Sequence, residues 1–148
     1  MKRFEGKVAV VTGASRGLGK RLCEAVIREG GCAAMLARNA DALRTAAEEL
    51  GPCAVALPTD ISDPGAVRRA FDTIRERWRG ADLLVNNAAL GHLQPIEEAE
   101  DALLQEEIGA NLLGPIFCIR SAIPLLRAKG GGDIEPEDGA IDGREPGD

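Results

Sequence analysis

Residues 12–19 read TGASRGLG. The pattern suits the capture of an anion by backbone. The first N–H groups of a helix have no intrahelical partner and lie at the positive end of its dipole, so a phosphate is drawn to them. Gly13, Gly17 and Gly19 allow a sharp turn, close approach of the ligand and tight packing of helix on strand. Thr12 opens the stretch, Ser15 can donate a hydroxyl, and Leu18 begins the helix between the last two glycines. Two guanidinium groups stand nearby in sequence, Arg16 inside the turn and Arg38 just beyond a second apolar run that ends at Ala37. A planar guanidinium fork is suited to a phosphate group. Taken alone, the same residues also describe an ordinary glycine-rich turn flanked by two solvated arginines.

The flanking elements decide between those readings. KVAVVT (7–12) is a short β-branched run that ends in glycine, as a buried strand does. After the turn, Leu18, Leu22, Ala25 and Val26 share a helical stripe, closed by Gly30-Gly31. CAAMLA (32–37) is a second strand, followed by a helix over 40–50 with Leu43, Ala46, Ala47 and Leu50 inward and Gly51-Pro52 as its stop. CAVALPT (53–59) is a third strand. Asp63 caps the next helix, with Pro64 at its first position and Val67, Ala70, Phe71, Ile74 and Trp78 on its inner face. DLLVNN (82–87) is a fourth strand, and a long helix, broken by Gly114-Pro115, covers about 101–128. Apolar strands alternating with amphipathic helices imply a parallel sheet covered on both faces, which right-handed crossovers make a Rossmann-like doubly wound α/β fold of four βα units. In the first βα turn of such a sheet, TGASRGLG is a nucleotide site.

Four motifs in this order resemble the short-chain dehydrogenase/reductase family over residues 4 to 132. Thr12, Gly13, Gly17 and Gly19 match its TGxxxGxG. Asp60-Ile61 match its aspartate after the third strand, which the resemblance implies contacts adenine. Asn86-Asn87-Ala88 match the opening of its NNAG, with Ala89 in place of the glycine, and Asn111 in IGANLLGP matches the asparagine of its fourth helix. The resemblance implies a nicotinamide coenzyme and a small-molecule carbonyl or alcohol substrate. NAD-preferring sites usually carry a carboxylate at the end of the second strand to hold the ribose hydroxyls. Ala37-Arg38 stands there instead, and family members that prefer NADP carry bases at the places of Arg16 and Arg38, so NADP(H) is the expected coenzyme.

The family's proton transfer, by resemblance, uses a serine after a fifth strand and a YxxxK segment, with the asparagine steadying a water in the relay. The 148 residues contain no tyrosine, and Lys2, Lys7, Lys20 and Lys129 stand in no such context. Asn111 is the one member of that catalytic set present. His92, in the loop after the fourth strand, is expected to be a surface residue. Residues 130–148 hold seven acids and one base, which accounts for the whole net charge of −6. So polar a stretch is expected to be a disordered tail following a 1–129 domain, replacing the missing half. The fourth strand then becomes an exposed edge, and Leu104, Ile108, Leu112, Ile116 and Ile119 on the fourth helix add an apolar face. The chain alone is expected to be either marginally folded or self-associated through both, and related enzymes use this helix in a dimer interface. The formally neutral body makes no electrostatic case for nucleic-acid binding, which wants a basic face. With one histidine and with Cys23, Cys32, Cys53 and Cys118 scattered, no metal site is expected. The apolar runs are too short for a membrane span, and a cytoplasmic setting is the expectation. Three readings stay open: the coenzyme half of an oxidoreductase, a binding module without turnover, and an interaction remnant.

Overall fold

The computed structural model describes residues 2–136. The chain alternates strand and helix as β1 (Val8–Thr12), α1 (Gly17–Arg28), β2 (Cys32–Ala37), α2 (Ala40–Leu50), β3 (Ala54–Pro58), α3 (Pro64–Trp78) and β4 (Leu83–Asn86). A short 3-10 turn (Ile96–Glu98) leads into α4 (Asp101–Ile108) and α5 (Gly114–Ala128), and β5 (Asp133–Pro136) follows. All strand pairs are parallel, in the order β3-β2-β1-β4-β5. Each face of the sheet carries its own core. Val10, Leu36 and Leu84 pack with Phe71 and Ile74 of α3 and Cys118 and Ala122 of α5. On the opposite face Val11, Met35 and Ala33 pack with Cys23 of α1 and Leu43 of α2. Strands buried on both faces need the continuous apolar sequences seen in β1 and β2.

Three expectations are corrected. The fourth strand is not an edge, because Asp133–Pro136 pairs with it in parallel, Leu83 opposite Asp133 and Asn86 opposite Pro136. Strand pairing uses backbone groups, so the acidic side chains of Asp133 and Glu135 do not prevent it. They lie exposed while Ile134 packs against the core beside α5. The ordered sheet thus extends past residue 129 to a fifth strand. The expected disorder of the rest of the tail, 137–148, lies outside the described residues.

The second correction concerns the helix. Gly114-Pro115 does not break it; α4 and α5 are joined by a π-helical turn, Gly109–Leu113. Pro115 has no N–H for the carbonyl four residues back, and a widened turn absorbs that loss without ending the helix. Gly114 lets this turn press against Ile61, whose Cδ1 would lie 2.7 Å from a Cβ there. The continuous helix 101–128 is apolar enough to cross a bilayer by length and composition, with mean hydropathy 1.4 over its most apolar window. Its inner face is a core face, however, with Cys118, Ala122, Leu125 and Leu126 buried against the sheet.

Third, Leu18 is not on the inner stripe of α1. It is 50% exposed, and the buried face runs through Gly19, Cys23 and Val26.

Candidate functional site

The C-terminal ends of β1 and β4 diverge at the point where the strand order reverses. A cavity of about 820 Å³ opens there. Its floor is made by the glycine turn (Gly13, Ser15, Arg16, Gly17, Leu18). One wall comes from the end of β2 (Leu36, Ala37, Arg38), with Asn39 and Ala42. The far side is formed by Thr59, Asp60 and Ile61 after β3, and by residues 87–90 and Ala110.

Thr12 holds this arrangement together. Its hydroxyl is fully buried and accepts from the N–H groups of Asn87 and Ala88, each at 3.0 Å, while it can donate to the Val85 carbonyl at 3.5 Å. Asn87 answers from β4: its Nδ2 donates to the carbonyls of Thr12 (2.9 Å) and Gly13 (3.2 Å). Both hydrogens of that amide are spent on the turn, so Asn87 shapes the site from beneath while lining it. The same closeness explains Gly13. Its φ is +64°, and a Cβ there would stand 2.7 Å from Asn87 Nδ2. At Gly17 φ is +56° but nothing lies within 4 Å of a Cβ position. That residue is kept free by conformation and by the open space of the cavity.

Arg16 is the N-cap of α1 and places no side-chain cap on the helix. The leading N–H groups of Gly17, Leu18 and Gly19 therefore remain available at the cavity floor. Asp60 turns Oδ1 toward Ser62, accepting from its N–H (3.0 Å) and hydroxyl (2.7 Å), which leaves Oδ2 free of protein partners among the described residues. Ile61 is buried and joins the cavity wall to the α3/α5 core. Asn86 points a buried Oδ1 that has no partner among the described residues. Asn111, in the π turn, grips the backbone of Leu90 in both directions: Nδ2 donates to the Leu90 carbonyl (2.6 Å) and Oδ1 accepts its N–H (2.8 Å). His92 is tied down in the same way. Its backbone N–H donates to Glu107 Oε1 at 2.6 Å and its ring Nδ1 lies 3.0 Å from that oxygen. The lone loop histidine is thus a partnered, half-buried residue that pins the loop after β4 to α4.

Some participants left no clear trace in the sequence. Glu106 of α4 pairs with Arg38 at 3.2 Å, both side chains about half exposed. Asn39 caps α2 by accepting from the Ala42 N–H at 3.0 Å, and its place just before a periodic helix was the available signal. Thr59 is buried at the cavity edge with its hydroxyl on the Leu57 carbonyl. Among the described groups, burial displaces the thiols of Cys23 and Cys118 upward to about 12. No cluster of potential metal ligands occurs among the described residues.

The fit of a dinucleotide can be judged from these features. Uncapped N–H groups, the empty space over Gly17, a carboxylate oxygen free at Asp60 and guanidinium groups at Arg16 and Arg38 all border one cavity. The donor set suits a pyrophosphate, an adenosine edge and a further phosphate.

A doubly wound parallel sheet with its site at the topological switch point defines a Rossmann-like protein. More narrowly, the chain belongs to the short-chain dehydrogenase family, whose sequence profile, described as short chain dehydrogenase, matches residues 7–134. It is 36% identical over 130 residues to a sorbitol dehydrogenase of Cereibacter sphaeroides, covering 88% of this chain and 51% of that protein. It is 46% identical over 141 residues to a probable short-chain type dehydrogenase/reductase of Bradyrhizobium diazoefficiens, covering 90% and 50%. The fold superposes with a TM-score of 0.84 on the L-sorbose reductase of Gluconobacter frateurii complexed with NADPH and L-sorbose, at 34% identity, covering 90% of this chain and 52% of that one. A 3-ketoacyl-(acyl-carrier-protein) reductase from Brucella melitensis complexed with NADH gives 0.86 at 31% identity, covering 90% and 57%. The chain spans about half the length of the curated relatives it matches.

Proposed function

We propose that this chain is the NADP(H)-binding portion of an oxidoreductase that moves hydride between the coenzyme and a carbonyl or secondary alcohol. The observation that carries the reading is the wall of the cavity at the end of β2. Ala37 offers no carboxylate there, and Arg38 and Arg16 border the same space. Thr12 and Asn87 hold the turn, the α1 N-terminus receives the pyrophosphate, Asp60 meets the adenine and Arg38 with Arg16 takes the 2′-phosphate. The nicotinamide, when bound, supplies or accepts the hydride. Asn111 holds the loop through Leu90, so its role in these residues is to position. NADPH-bound and NADH-bound relatives both exist among similar structures, and the arginines favour the former. Fluorescence titration should give tighter binding of NADPH than of NADH; identical curves would overturn the reading.

With no tyrosine in the sequence, these 148 residues alone are expected to bind without turning over ketones or secondary alcohols. Loss of general acid–base help by itself lowers rates about 10²–10⁴-fold. Sustained NADPH oxidation that tracks carbonyl concentration would contradict this.

Self-association enters the proposal through the helix alone, now that β5 covers β4. Ile108, Leu112 and Ile116 form an outward apolar stripe, 54%, 53% and 48% exposed. Light scattering should show a concentration-dependent dimer that Leu112→Glu returns to monomer. A wild-type monomer at every concentration would remove this part of the proposal. Placement in the cytoplasm, the setting expected from four free thiols, is likewise proposed.

A further inference from the structure

Four cysteines are spread along the sequence, yet the sheet brings two of them side by side. Ala33 pairs with Ala54 in the β2–β3 register, and the Ala33 N–H donates to the Cys53 carbonyl at 2.8 Å. Cys32, at the start of β2, and Cys53, just before β3, therefore lie abreast at the base of neighbouring strands. Adjacent strands run about 4.7–4.9 Å apart, inside the roughly 4.4–6.8 Å Cα window of a disulfide. The direction of the side chains agrees. Ala34 and Leu36, in phase with Cys32, face the α3/α5 layer, and Arg77 near the end of α3 acts on the Cys32 thiol. Cys53 sits in a turn closed by the Ala54 N–H on the Gly51 carbonyl (3.0 Å), near enough that its thiol helps hold the Cys32 thiol above its ordinary range. Both are partly exposed, whereas Cys23 and Cys118 are buried.

We propose that Cys32 and Cys53 are a reversible dithiol–disulfide site that closes the β2–α2–β3 unit. Its partner is a low-molecular-weight disulfide such as oxidised glutathione. One protein thiol loses its proton, and the thiolate attacks a sulfur of glutathione disulfide, releasing one glutathione thiolate and leaving a mixed disulfide. The second protein thiolate attacks the protein-side sulfur of that bond and releases the second glutathione. Two protein thiols are oxidised, one glutathione disulfide is reduced, and the two protons pass to the leaving thiolates. Burial and the adjoining Cys53 thiol push Cys32 up to about 11, with Arg77 opposing them, so exchange is slow near neutrality and quicker in mild alkali. The site stands at the opposite end of β2 from Arg38, so the bond ties the base of this unit without entering the cavity.

The test uses the full chain, equilibrated near pH ~8.5 in mixtures of reduced and oxidised glutathione, quenched with acid and digested without reduction. One intramolecular bond joining the Cys32 and Cys53 peptides is expected, with Cys23 and Cys118 still free. Closing a loop of this size should raise Tm by roughly 5–10 °C, reversed by dithiothreitol. Cys53→Ser and Cys32→Ser should each lose the bond and the shift. NADPH titrations of oxidised and reduced chains should superimpose, which keeps this result separate from the coenzyme reading. Stable glutathione adducts at both cysteines, bonds between chains, or no loss of free thiol would each overturn the proposal, as would an unchanged Tm.

Discussion

The Arg38–Glu106 pair makes coenzyme choice testable in a way that Arg38 alone does not. Glu106 reaches from α4 to the end of β2 and holds Nη1 of the arginine at 3.2 Å. A 2′-phosphate must share that guanidinium or displace the carboxylate. Both partners are about half exposed, and pairs of this kind contribute about 0.2–1 kcal/mol. Glu106→Gln should therefore tighten NADPH by up to about fivefold and leave NADH within about twofold, because NADH does not engage the fork. Arg38→Ala removes the proposed phosphate contact itself. A charge-assisted hydrogen bond contributes about 1.5–3 kcal/mol, so NADPH should weaken about 10- to 150-fold. In the Arg38→Ala background, Glu106→Gln should lose most of its effect, since its competitor is gone. Coenzyme fluorescence titration of the four proteins at low salt, repeated at about 0.5 M, closes the cycle, with the Glu106 effect fading as charge is screened. Equal changes in NADPH and NADH on Glu106→Gln, or an undiminished effect without Arg38, would refute the reasoning.

Two glycines of the turn should part company on substitution. Gly13→Ala combines a left-handed φ with a Cβ 2.7 Å from Asn87 Nδ2, so it should destabilise the fold by about 2–4 kcal/mol in urea melts. Gly17→Ala meets no neighbour and should lose only about 1–2 kcal/mol to strain, while filling space at the cavity floor and weakening NADPH. Alkaline pH should expose the buried thiols. Cys23 and Cys118 rise from 9.0 to about 12 through burial, so the folded state holds those protons after the unfolded chain has released them. Their contribution is whole below pH 9 and declines as pH climbs toward 12. At pH ~11 the loss should be about 2–3 kcal/mol per thiol. Cys23→Ala should flatten that limb in pH-dependent melts, and an unchanged slope would contradict the assignment.

Much of this protein is local in origin and therefore legible along the chain. β1 and β2 declare themselves as apolar runs because both their faces are buried, and α3 by Asp63, whose carboxylate caps the Gly65 N–H at 2.8 Å, ahead of Pro64. The glycine turn is legible because left-handed φ at Gly13 and Gly17 demands that residue type in place. What the tertiary structure decided rests on pairings between distant segments. β5 has almost no side-chain signature, since its stability comes from backbone bonds to β4 and one partly buried isoleucine. Leu18 faces the cavity because Gly19 is the residue that packs inward, a choice the helical period alone leaves open. Asn87 lines the cavity, yet its Nδ2 is committed to the carbonyls of Thr12 and Gly13, seventy-odd positions away. Glu106 meets Arg38 because α4 packs over the end of β2, and Cys53 comes abreast of Cys32 because the parallel register of β2 and β3 sets their bases side by side. Sequence spacing records what neighbours along the chain require, whereas these contacts depend on which strands adjoin and in which register.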